Sequence, residues 1–240
     1  MITLTEATRM SVDETNPSRR KFIANVAGSA SALAAVGFGA TDLFAQSAAA
    51  VPPQGGWDMT WVDRVTRAKH KQVFDAPGMA DGMALTNAVV WLNGYAEVYK
   101  TTDADMAAVL VFRHKGLPLV LSDEIWAQMT YGEEEKINDP ATNAPVKRNP
   151  FLKAAGGRAG ASLMPGGDLE SLIARGVIVL ACNLALMRQA GALSKAMGIT
   201  REQAQQKLID AVAPGVVRMP SGVFATSRAE EAGCQFLRSS

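Results

Sequence analysis

The chain of 240 residues is 48% hydrophobic and 20% charged, an ordinary globular composition with room for one domain. Its 24 basic and 23 acidic residues leave a formal net charge of +1. That balance, with no block of like charge, gives no electrostatic basis for a nucleic-acid partner.

The N-terminal segment stands apart. Ser18-Arg19-Arg20-Lys21-Phe22-Ile23 precedes a weakly apolar stretch rich in Ala, Gly and Ser, and Ser47 to Ala50 offer small-residue cleavage choices. This resembles a twin-arginine export signal. The resemblance implies a signal peptide over residues 1–50, cleavage near 47–50, and a periplasmic mature protein. The glycines and Asp42 argue against a spanning helix, and no other segment is long and apolar enough to cross a bilayer.

Residues 51–68 open with Pro and Gly and read as a linker that becomes a docking arm through Trp57 and Trp61. "KHKQVFDA", 69–76, is a candidate first strand. Over 79–100, Leu85, Val89, Leu92, Ala96 and Tyr99 recur at helical spacing. "DMAAVLVFRH", 105–114, is a continuous apolar run suited to a strand buried on both faces, ending in Arg113 and His114. From Gly116 to Pro165 the pattern is irregular, apart from a helix after Ser122. The Gly-, Pro- and Asn-rich stretch after Tyr131 reads as a functional or disordered loop. Order returns with a helix after Asp168 and a buried strand "GVIVLAC". A helix stopped by Gly198 and one capped by Thr200 follow. "GVVRMPS" is a short strand, Ser221 caps a further helix, and "CQFLRS" is a last strand. Strands alternating with helices predict a three-layer α/β/α domain with a five-stranded, mainly parallel sheet.

In such a domain functional groups gather outside the carboxyl ends of the strands. His114 follows the second strand, Cys182 ends the third, and Pro220-Ser221-Gly222 follow the fourth. Cys182 also sits directly before a helix, whose first amides favour a thiolate. Two readings stay open: a reactive thiol, or a small hydrophobe in the core. His114 is a proton partner or a hydrogen-bonded rim histidine. His70, at the start of the first strand, reads as structural. Arg113, Arg148 and Arg158 are candidate contacts for an oxyanion such as thiosulfate. Neither a CxxC nor an HExxH occurs, so no zinc site is expected.

The order of elements over roughly 69–240 resembles the DsrE/DsrF-like domain, with an insertion at about 116–165. The resemblance rests on "KQVFDA", "AAVLVFRHKG", "GVIVLACNLAL" and "VVRMPSGVFATSRAEEAGCQFL". In the sulfur-relay members a cysteine at the end of the third strand holds sulfane sulfur as a persulfide, and Cys182 matches that position. The resemblance thus implies a homo-oligomer in which Cys182 is the nucleophile and His114 a proton partner. Arg113 would place a small sulfur-containing anion. It also implies a sheet order that sets His114 beside Cys182 and keeps Cys182 three strand spacings from Cys234, too far for a disulfide. Two departures favour rivals: the relay proteins are cytoplasmic, and the insertion is large enough to cover the rim. The alternatives are a non-enzymatic module enclosing a small ligand or haem beside His114, and an oligomeric scaffold assembled through the Trp57/Trp61 arm. The identity of any cofactor is left open.

Overall fold

The computed structural model describes residues 56–153 and 163–240. The proposed signal segment, residues 51–55 of the arm, and Arg158 lie outside the described residues. The described residues belong to one compact unit within Pro53–Ser240.

Five strands form the sheet: β1 (His70–Ala76), β2 (Met106–Phe112), β3 (Ile178–Cys182), β4 (Val216–Met219) and β5 (Gln235–Arg238). Their order is β4-β3-β2-β1-β5, and every neighbouring pair is parallel. The run MAAVLVF is unbroken because β2 is central and its alternating side chains feed two cores. Met106, Ala108, Leu110 and Phe112 enter one; Ala107, Val109 and Val111 enter the other.

The larger core is covered by α2 (Met83–Tyr99), α3 (Asp123–Gln128), α4 (Tyr131–Glu134), α5 (Leu169–Ala174), α6 (Asn183–Met197) and α7 (Arg201–Asp210). The opposite face carries α1 (Thr60–Arg67) and α8 (Gly222–Glu231). The fold is therefore a three-layer α/β/α sandwich. Three expected caps appear as hydrogen bonds: Asp168 accepts from the Ser171 amide, Thr200 forms a reciprocal box with Gln203, and Ser221 accepts from the Phe224 amide. Ser122, at the start of α3, makes no side-chain cap bond. Gly198 ends α6 at φ +64°, where a side chain would be strained. The described part of the 51–68 arm contains α1, with Trp61 buried against α8 in the second core and Trp57 half-buried.

The irregular stretch after β2 is a folded annex in its described part. A 3-10 segment, His114–Val120, buries Gly116 through Val120. Gly116 has no alternative, since a Cβ there would sit 2.1 Å from the Ala76 carbonyl oxygen. Buried Asn149 ties the annex together. Its Nδ2 donates to the carbonyls of Pro118, Leu119 and Leu121, and its Oδ1 accepts from the Phe151 amide. Trp126 Nε1 donates to the Pro118 carbonyl at 2.8 Å. This annex packs into the larger core alongside α6.

Candidate active site

At the edge of the sheet, β3 hands the chain to α6 on one face, while its neighbour β4 hands it to α8 on the other. Adjacent strands with diverging connections open a crevice at their carboxyl ends. A cavity of about 170 Å³ occupies it. Arg113 and His114 line it from the end of β2, Cys182 from β3, and Arg188 from α6; Ser221 and Gly222 close it from α8. Sequence placement of His114, Cys182, Ser221 and Gly222 at one rim thus matches the lining.

Cys182 is the N-cap of α6, and its sulfur accepts the Ala185 amide at 3.4 Å. The first amides of a helix have no intrahelical acceptor, so a sulfur in this place is solvated by the backbone. The residue is 6% exposed and shares core contacts as well as the cavity wall. Both readings of Cys182 therefore describe part of its surroundings.

Arg113 is held rather than free. Its Nε and Nη2 donate to Asp75 Oδ1 and Oδ2, each at 2.7 Å, and Asp75 is 3% exposed near the end of β1. These hydrogen bonds raise the guanidinium above its ordinary value. Burial opposes them, while the charges of Asp75 and Cys182 add to them. Gly222 completes the fixture. A Cβ there would fall 2.6 Å from both Cβ and Cδ of Arg113, so the glycine lets α8 start directly over the arginine stem. Arg218 Nη1 donates to Asn183 Oδ1 at 3.1 Å and joins β4 to the first turn of α6.

His114 is exposed and has a φ of +48°, a left-handed conformation uncommon for a residue with a side chain. The turn is fixed by backbone bonds from Gly116 to Arg113 and from Lys115 to Pro77. No described residue of 123–153 lines the cavity. Arg148 pairs with Asp123 at 2.9 Å, away from the crevice. His70 packs against Tyr95 in a tilted ring contact, with centroids 4.5 Å apart, at the far end of β1. Cys234 lies in the opposite core before β5, three strand positions from β3, and both cysteines are free thiols. Burial raises the Cys234 thiol to about 11.

Asp75 and Arg188 are site residues that sequence patterns did not single out. Only Asp75 left a trace there, as a charge inside the apolar "VFDA". A larger cavity of about 370 Å³ opens at the other end of the sheet, among Arg64, Arg67 and Arg175. These arginines are occupied with helix ends and Asp103: Arg64 donates to the Gly176 carbonyl, Arg67 to the Asp63 carbonyl, and Arg175 pairs with Asp103. It holds no nucleophile. Among the described residues no three His, Cys, Asp or Glu side chains gather in a metal-binding group, and no helix is long and apolar enough to cross a membrane.

No protein-family profile matches the chain, and no curated protein does. A solved structure of a protein of unknown function from Methanobacterium thermoautotrophicum is similar at 16% identity. The match covers 70% of this chain and 98% of that one, with a TM-score of 0.37.

Proposed function

We propose that this protein is an exported, DsrE-like sulfur carrier or sulfurtransferase that holds sulfane sulfur as a persulfide on Cys182. One observation carries the reading: the Cys182 sulfur caps α6 in a small cavity that it shares with two arginines and a histidine. The resemblance of the strand sequences to sulfur-relay domains adds to it, and the Arg19-Arg20 motif supports a periplasmic location.

The chemistry balances with a donor such as thiosulfate. The Cys182 thiolate attacks the sulfane sulfur, a new S–S bond forms, the donor's S–S bond breaks, and its electron pair leaves with sulfite. Arg113, oriented by Asp75, and Arg188 attract the dianion. His114 supplies the proton that converts the persulfide anion to –S–SH. An acceptor thiolate then takes the terminal sulfur, and Cys182 returns as a thiolate. No tetrahedral intermediate forms, so no oxyanion hole is needed. The rival reading, a small-ligand or haem module, is less well served by the space. About 170 Å³ is below the roughly 300–1,000 Å³ of ordinary ligand and cofactor pockets.

Mass spectrometry after incubation with thiosulfate or polysulfide tests the proposal. Wild-type protein and Cys234→Ser should each gain the mass of one sulfur atom, on the peptide containing Cys182, and Cys182→Ser should gain none. An unmodified wild-type protein, or an adduct that survives Cys182→Ser, overturns it.

A further inference from the structure

β5 leaves one edge of the sheet open. Its inner side pairs with β1, no strand pairs with its outer side among the described residues, and all four of its residues are exposed. Neither a bulge nor a proline protects it, and it presents Phe236 and Leu237, 49% and 42% exposed, on opposite faces.

The register determines which groups point outward. The Ser239 amide donates to the Asp75 carbonyl, and Asp75 is level with Arg238. In a parallel ladder residues 235, 237 and 239 therefore turn their amides and carbonyls toward β1. Phe236 and Arg238 turn theirs outward. Beside this edge, on the face of the larger core, lies a stripe of α2. Asn87 donates to Ser239 Oγ at 3.0 Å, Trp91 meets Phe74 of β1 at 6.1 Å, and Tyr95 follows at 5.2 Å from Trp91. Trp91 and Tyr95 are only half-buried.

From this we infer that β5 is a homodimer edge, pairing antiparallel with β5 of a second copy about a two-fold axis at Leu237. The segment is self-complementary there. Phe236 and Arg238 of one copy face Arg238 and Phe236 of the other, giving four backbone hydrogen bonds. On the α8 face each guanidinium comes beside an aromatic ring, a favourable pairing. On the opposite face Leu237 meets Leu237 between the two α2 stripes. The two β1 strands would lie three strand spacings apart, about 14 Å, a gap that Trp91 and Tyr95 of both copies can fill. An isologous contact of this kind closes at two subunits and joins two sheets into one of ten strands. It stands independently of the sulfur chemistry.

Light scattering, hydrogen exchange and cross-linking of the purified protein test it. Wild type should be a dimer, with slow exchange at the Phe236 and Arg238 amides. Leu237→Lys sets two like charges on the axis and should weaken the dimer at least tenfold, while Leu237→Met keeps it. Leu237→Cys should form a disulfide-linked dimer under mild oxidation, because α-carbons in a non-hydrogen-bonded antiparallel pair lie about 4.5 Å apart, within disulfide reach. A wild-type monomer at its highest soluble concentration overturns the inference. So does a dimer in which those two amides exchange freely and Leu237→Cys does not cross-link, whether or not Leu237→Lys folds.

Discussion

Asp75 decides where the Arg113 charge sits. The pair is largely buried, with side-chain exposures of 22% for Arg113 and 4% for Asp75. Removing one partner strands the other's charge in a poorly solvated place. Asp75→Asn should cost about 2–4 kcal/mol in urea unfolding, and it should slow sulfur loading because Arg113 is no longer fixed. Adding Arg113→Met to that variant should recover part of the stability but not the loading rate. Cys234 makes a separate pH prediction. Its thiol is raised to about 11 by burial, above the ordinary range for cysteine. The unfolded chain releases this proton near pH 9 while the folded chain retains it, so the contribution to stability is full below that pH. It is lost as pH climbs toward 11. After allowance for solvent screening the loss is about 1 kcal/mol, or roughly 2–4 °C in Tm, and Cys234→Ala should abolish this part of the decline in a thermal scan. The position of Cys182 was legible in the sequence because an apolar β-branched run ends there and a helical pattern begins. The role of Asp75 was not, because a lone acid at a strand end signals nothing until β1 and β2 pair and bring Arg113 beside it.

Helix α8 is the element that turns the crevice into a site. It starts at Ser221 and Gly222, and its first residue lies against the arginine stem. Gly222→Ala introduces a methyl group into space occupied by Arg113. It should cost about 1–3 kcal/mol and lower the loading rate with the cysteine unchanged, measured by chemical denaturation and the mass assay. Strands β2 and β3 could be read from composition alone, since burial on both faces removes every polar residue from their interiors. The annex could not. Asn149 holds it through side-chain bonds to three carbonyls, and such bonds leave no periodic trace, so a Gly- and Pro-rich sequence reads as loose loop. The large side chains Trp126 and Phe151, both fully buried, were the available hint that it has a packed interior.

For the whole molecule, alternation of strands and helices was sufficient to predict three layers and a parallel sheet. Strand order was not contained in that alternation; it came with the resemblance, and the sheet has the order the resemblance implied. Topology also explains why a thiol, a histidine and two arginines converge from segments scattered over 76 positions of chain, Arg113 to Arg188. Parallel strands end together, so groups placed just past their ends become neighbours. The same topology has a consequence for biosynthesis. β5 follows every other strand in chain order yet completes the hydrogen bonding of β1, and the residues paired there, Gln72 and Gln235, are 163 positions apart. Closing a loop of that span is entropically costly and makes the contact a slow one. Until the ribosome has delivered β5, β1 is itself an open edge, a template on which another chain can pair.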